Sequence, residues 1–278
     1  MSNTISYENG IVNFLKRLFN FTFKHFFRNP IYLTVYTFCY FLKDFKLNVS
    51  FYKYEELRAL LEKDKSIIRF GDGEIYIMNY GSIHYQKFNK ALRKTYFYMV
   101  REYTDNSPYI LGLNQGGVTK TNTFLRENNA LNLWLPSKVV YLLNYNKKAT
   151  YIDNGIFYHR NIFKQQVLPY IKNKHVIVIT REGTIDYIKK ENKEIENISY
   201  VKTPDFQAYD VYEEIVKEVK LAIKKSDLKP VLLVAIGPAT KALVYDFSKN
   251  KVQGIDVGRG LEFIFSNEGL EHMLLPNT

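Results

Sequence analysis

From about residue 54 onward the chain alternates short, unbroken apolar runs with longer stretches that are apolar on one side only, and this limits the folds open to it. Runs with no polar alternation fit strands buried on both faces, and one-sided stretches fit the helices that cover such a sheet. Residues 175–180 (His-Val-Ile-Val-Ile-Thr) and 231–236 (Val-Leu-Leu-Val-Ala-Ile) are the clearest strands. Residues 66–70, 109–113, 139–143, 198–201 and 252–257 are further strand candidates. Helical spacing joins Leu57, Leu60 and Leu61 within residues 54–63. It recurs over residues 211–225, and from Gly237 to about Phe247. Strand and helix in repeated succession predict an α/β, Rossmann-like fold with a mainly parallel sheet and flanking helices.

In such a sheet, ligands bind beyond the carboxyl ends of the strands. Three strand-to-helix junctions carry residues suited to an anionic ligand: Arg69-Phe70-Gly71-Asp72-Gly73-Glu74, Thr180-Arg181-Glu182-Gly183 and Gly237-Pro238-Ala239-Thr240. If their strands run parallel, all three lie along one sheet edge. Asp72 and Glu74 stand two apart around Gly73. In a strand they share a face, and in a loop the glycines (Gly71, Gly73) allow close approach, so either way both can turn to one cation. Paired hard oxygens suit Mg²⁺ or Mn²⁺. Asp-Gly is also ordinary turn chemistry, which stays open as the plainer reading. Gly237 removes bulk after a buried strand, Pro238 suits a first helical turn, Thr240 offers a hydroxyl, and a helix start attracts phosphate. Arg69 and Arg181 would add positive charge. Asp256 and Glu262, near the end, could complete a metal shell or act as a base.

Other chemistries find no pattern. The five histidines are scattered without metal-binding spacing, and Cys39 is the sole cysteine, which excludes an internal disulfide and a cysteine zinc site. No Walker loop, Gly-x-Gly-x-x-Gly turn or Gly-x-Ser-x-Gly elbow occurs in the required context. The net charge is +11, which favours anionic partners, but it is spread along the chain and no nucleic-acid module accompanies it. Residues 1–50 read as a helical, aromatic and basic appendage to a catalytic domain at 51–278. Phe14, Leu18, Phe21 and His25 share one side of a helix, Pro30 breaks or opens one, and an apolar run of about twelve residues follows, too short for the roughly 20 a membrane span needs. Either this segment lies on a membrane interface or it packs on protein. Without a secretory signal pattern, the chain reads as cytoplasmic, with contact at the inner face of the membrane as one reading of residues 1–50.

The order Ser66-Ile67-Ile68-Arg69-Phe70-Gly71-Asp72-Gly73-Glu74, the strand at 175–180, Thr203-Pro204 with Ala208-Tyr209, Gly237-Pro238-Ala239-Thr240, Gly254-Ile255-Asp256-Val257-Gly258 and Glu262-Phe263 resembles the GT-D type bacterial glycosyltransferases, which extend glycans on serine-rich adhesins and related surface polymers. The likeness spans roughly residues 54–266; the aromatic N-terminal segment lies outside it, and Gly258-Arg259 departs from the family's frequent Gly-His. The resemblance implies a Rossmann-like fold, a nucleotide-diphosphate sugar donor such as a UDP-hexose, a glycan or glycoprotein acceptor, and Mn²⁺ or Mg²⁺ held by Asp72 and Glu74. It also implies a functional carboxylate at Glu262, a base only if the anomeric configuration inverts. On this reading Asp72→Asn and Glu74→Gln each abolish transfer and leave thermal stability near normal. A metal-dependent phosphohydrolase or nucleotidyl transferase could use the same carboxylates, and a non-catalytic membrane-associated scaffold would rest on the charge and the aromatic arm.

Overall fold

The computed structural model describes residues 29–192, 194–258, 260–261 and 265. The helix expected at residues 11–27 and the carboxylate of Glu262 lie outside them. Eight strands form one sheet, in the order β1-β4-β3-β2-β8-β7-β5-β6. They are β1 (Ser50–Phe51), β2 (Ser66–Arg69), β3 (Tyr109–Leu113), β4 (Thr150–Asp153), β5 (His175–Arg181), β6 (Ile198–Thr203), β7 (Pro230–Val234) and β8 (Gln253–Asp256). Every pairing among them is parallel. The helices are α1 (Pro30–Phe41), α2 (Leu57–Glu62), α3 (Asp72–Met78), α4 (Lys90–Glu102), α5 (Gln115–Thr119), α6 (Asn122–Glu127), α7 (Leu131–Asn144), α8 (Arg160–Ile162), α9 (Leu168–Ile171), α10 (Glu182–Glu191), α11 (Tyr212–Ile223) and α12 (Ala239–Lys249).

The apolar runs do as their composition predicts. Val176, Ile177, Val178 and Ile179 of β5 and Val231, Leu232, Leu233 and Val234 of β7 are fully buried, their side chains divided between cores on the two sheet faces. Each such side chain contributes about 1.5–3 kcal/mol by leaving water. Leu57, Leu60 and Leu61 are buried as their spacing requires.

One expected strand is a helix. Residues 139–143 lie inside α7, which also contains Pro136. Nine of its residues are buried, so its apolar run lacks the polar stripe that marks a surface helix. A short apolar run of this kind reads equally as strand or buried helix, and Pro136 hides the continuity with Leu131. The strand that occupies this place in the order is β4, whose Tyr151, Ile152 and Asp153 are buried.

Pro30 opens α1, and Tyr32, Tyr36 and Cys39 turn inward against α7, in the same core as β3 and β7. Their spacing of four and three residues places them on one helical face. Ile31, Phe38 and Phe41 are exposed.

Lys138 of α7 ties this region together. It is fully buried, and its ammonium donates to the Phe45 carbonyl at 3.0 Å, the Lys120 carbonyl at 2.8 Å and Asn122 Oδ1 at 3.0 Å. None of these acceptors is charged, and burial pushes the amine down to about 8. The unfolded chain then binds the extra proton at pH 8–10, so the cost of burying Lys138 fades as pH rises. Wild-type stability minus that of Lys138→Met should therefore rise by about 1.4 kcal/mol per pH unit from pH 8 to pH 10 in urea unfolding. A flat difference would contradict it.

Candidate active site

From β2 the chain moves outward through β3 to β4. It crosses to β5 and β6 on the other side, then returns inward through β7 to β8, which pairs with β2. The inner ends of the two halves thus meet at the centre of the sheet, the topological switch point where open α/β sheets place their ligand crevice. Arg69 ends β2 and Asp256 ends β8 there.

The two are locked together. Asp256 Oδ2 accepts from the Arg69 main-chain N–H at 3.0 Å, the Asp256 carbonyl accepts from Arg69 Nε at 2.7 Å, and Asp256 Oδ1 lies 3.7 Å from Arg69 Nη2. Arg69 Nη1 donates to the Asn154 carbonyl at 2.8 Å, and its guanidinium lies 5.3 Å from the Phe157 ring centre. Lys241, in the first turn of α12, completes the cluster, its Nζ 3.0 Å from Glu74 Oε1 and 3.3 Å from Asp256 Oδ2. All four side chains are buried, Asp256 completely. Burial alone would lower the Lys241 amine, but the carboxylates of Asp256 and Glu74 outweigh it and hold it above its usual value. Two cations and two carboxylates therefore balance in a dry site, where isolated charges would be costly.

Gly258 is part of this lock. Its φ of +48° is in the left-handed region, and a Cβ there would meet Arg69 Nη2 at 2.3 Å. Any side chain would displace the guanidinium.

Asp72 and Glu74 separate. Helix α3 begins at Asp72 itself, so the segment is neither the strand nor the open loop that would aim both acids one way. Two residues along a helix are about 200° apart. Asp72 is exposed and lies one turn before Tyr76, whose phenol is raised by burial and then by the Asp72 charge. Glu74 turns inward; besides Lys241, it accepts the Gly71 N–H on Oε2 at 2.8 Å. Gly73 faces Ile83, whose Cδ1 would lie 3.2 Å from an added Cβ.

The other junctions reach the same edge. Gly237 has φ +60°, and Pro238 precedes α12. Thr240 is buried and its hydroxyl accepts the Ile236 N–H at 2.9 Å, so it braces the turn from behind. Tyr96 donates to the Pro238 carbonyl at 2.7 Å. Arg181 ends β5, exposed, with Nε donating to Thr184 Oγ1 at 3.1 Å. It stands three strands from β2, roughly 14 Å at ordinary strand spacing.

Sequence reasoning missed Lys241, although it directly follows Thr240 and heads a helix after a buried strand. It also missed the polar lattice beyond β4. Asp153 accepts from the Gln115 N–H at 3.0 Å and the Tyr54 hydroxyl at 2.9 Å, and Asn154 Nδ2 donates to the Phe70 carbonyl at 2.9 Å. No signal exposed that lattice, because β4 itself went unseen.

Among the described residues, no group of three or more His, Cys, Asp or Glu side chains could hold a metal ion. A cage made of protein alone is thus not formed there. Exposed Asp72, with hard oxygens at the crevice, fits instead an Mg²⁺- or Mn²⁺-type ion that takes its remaining ligands from phosphate and water.

Residues 67–262 match the family described as the glycosyltransferase GT-D fold. A solved glycosyltransferase (DUF1792) of Streptococcus sanguinis superposes with a TM-score of 0.65 at 20% identity, covering 78% of this chain and 84% of that one. A second solved structure, of the domain of unknown function 1792 described as having a distinct glycosyltransferase fold, gives a TM-score of 0.63 at 20% identity, covering 78% and 80%. At such identities the likeness is one of fold. Comparison with curated proteins finds no match.

Proposed function

This chain belongs to the GT-D glycosyltransferase family, and from that premise we propose that it moves a hexose from a nucleoside-diphosphate sugar, a UDP-sugar first, to a glycan or glycoprotein acceptor of the bacterial surface. The observation that carries this reading is the meeting of the β2–α3, β7–α12 and β8 ends at the switch point of a parallel sheet.

The geometry supports the following roles. Asp72 is the exposed carboxylate open to Mn²⁺ or Mg²⁺, and Glu74 is a second one that becomes available if Lys241 lets go. A bound ion would supply charge neutralisation for the departing diphosphate. Arg69 and Lys241 place two cations in the floor of the crevice, balanced by Glu74 and Asp256, and Asp256 holds both in place. Gly71 and Gly237 leave room for phosphate to approach the backbone, and Pro238 starts the helix that faces it. Arg181 supplies a further cation at the far side. Glu262 remains the proposed activator of the acceptor hydroxyl for an inverting reaction.

We assign the catalytic unit to residues 51–278, with α1 and Ser50 packed into it, and a peripheral membrane contact to the outward face of the segment 1–50. Among the described residues no helix is long and apolar enough to cross a membrane. The exposed Ile31, Phe38 and Phe41 of α1, with Lys90, Arg93, Lys94 and Arg101 of α4 lining a cavity of about 330 Å³ beside Tyr32, support contact with an anionic surface.

Calorimetric scanning with UDP, Mn²⁺ or both is the direct test. UDP with Mn²⁺ should raise the melting temperature more than the two separate rises combined, as linkage to one ternary site requires. No response to any nucleoside diphosphate, with or without metal, would remove the reading.

A further inference from the structure

The loop after α3 forms a feature that the roles above leave unused. Ile83 and Gln86 exchange main-chain hydrogen bonds, Ile83 N–H to the Gln86 carbonyl at 3.0 Å and Gln86 N–H to the Ile83 carbonyl at 3.2 Å. The tight turn they close carries His84 and Tyr85 at its tip. Tyr85 stacks on Phe206, which follows β6, with ring centres 6.2 Å apart and planes within 13°. His84 meets both edge-on, at 5.3 and 5.2 Å. Tyr85 is 47% exposed and Phe206 48% exposed. Two adjacent exposed rings make a contiguous apolar surface, and covering it is favourable by about 25 cal/mol per Å².

The rings are held rigidly by what lies beneath them. Gln207 N–H donates to the Tyr85 carbonyl at 2.8 Å, and Gln207 Oε1 accepts the Lys87 N–H at 2.9 Å. Buried Gln86 donates to Gln207 Oε1 at 3.2 Å and to Asp210 Oδ1 at 3.3 Å, and accepts the Tyr209 N–H at 3.1 Å. The platform is formed before any ligand arrives, so little ordering cost remains. It also overlooks the crevice. Ile83 packs on Gly73, and the Tyr85 Cβ would lie 3.7 Å from a Cβ at Gly237. One loop therefore touches both junctions assigned to the diphosphate.

We infer that Tyr85 and Phe206 form the stacking subsite for the nucleobase of the donor. This rests on the proposed nucleotide-sugar reading and deepens it. The platform lies on the β7, β5 and β6 side of the edge while Asp72 follows β2. Tyr85 stands beside Gly237 at the end of β7, two strand spacings from β2 or roughly 10 Å, and Phe206 lies further out after β6, an arrangement that suits a nucleotide stretched from its base to its second phosphate. A flat aromatic face matches any base, so base identity is read elsewhere.

Isothermal titration of UDP, CDP, ADP and GDP, and separately of inorganic pyrophosphate, all with Mn²⁺, tests it. Tyr85→Ala and Phe206→Ala should each weaken the best-bound nucleotide by about 5- to 150-fold. Pyrophosphate affinity should stay within about twofold of wild type, since stacking acts on the base alone. Tyr85→Phe and Phe206→Tyr should restore nucleotide binding. Unchanged nucleotide affinity in the alanine variants overturns the base subsite and leaves the nucleotide reading intact. Equal loss of nucleotide and pyrophosphate also overturns it. A wild-type protein that binds none of the four nucleotides removes both.

Discussion

Asp256→Asn should lower the unfolding free energy by about 3–5 kcal/mol. The carboxylate is fully buried and faces two cations, Arg69 and Lys241. Asparagine can still accept the Arg69 N–H through its carbonyl oxygen, but its amide carries no charge and turns a donor toward one of the cations. Two buried positive charges then share only Glu74. Chemical denaturation would measure the loss, and a change below about 1 kcal/mol would mean that the cluster is solvated and of little structural weight. Lys241→Met gives the complementary case. It leaves Glu74 and Asp256 as neighbouring buried carboxylates, so one of them holds a proton well above its usual range. A folded-state carboxyl raised above its unfolded value adds stability at low pH and loses it as pH rises. The Lys241→Met deficit should accordingly be smaller at pH 5 than at pH 8, whereas a mere packing defect would show the same deficit at both.

The frame of this site was legible before the structure because buried parallel strands are written as unbroken apolar runs. Ser66 to Arg69, Tyr109 to Leu113, His175 to Thr180 and Val231 to Val234 were all recoverable in that way. Glycine and proline then marked where each run met its helix, so the edge that carries the chemistry could be located. What failed was direction within a turn. Asp72-Gly73-Glu74 reads as a strand end or a loop, but Glu74 caps the Gly71 N–H and so starts the helix two residues earlier than the glycines suggest. That single capping bond swings the two acids apart. Long-range partners were also beyond reach. Lys241 meets Glu74 across 167 positions, and Gln207 fastens the Tyr85 turn across more than a hundred, distances over which residue spacing holds no information. The apolar run of α7 was misread because a helix buried on nearly all sides lacks the periodic polar face that distinguishes it from a strand.

Asp72→Asn should cut the transfer rate by about 10²–10³-fold while leaving the melting temperature within a degree or two of wild type. The two halves of this expectation have separate causes. Among the described residues Asp72 makes no hydrogen bond or ion pair, it is exposed, and an exposed first-turn acid contributes to its helix only about 0.3–1 kcal/mol through the dipole. Removing its charge therefore costs little in folding. In the proposed reaction, however, it is the carboxylate that faces a diphosphate with no other acid of comparable exposure in the junction, so the stabilisation of the leaving group depends on it. Glu74→Gln should behave differently from the expectation that both acids are interchangeable. It breaks a buried contact with Lys241 at 3.0 Å, so lost turnover there will be accompanied by lost stability. The pair of variants thus separates an acid that acts on substrate from one that holds the floor of the crevice. Steady-state transfer assays run beside calorimetry resolve the two, and an Asp72→Asn enzyme with full activity would take the metal away from this residue altogether.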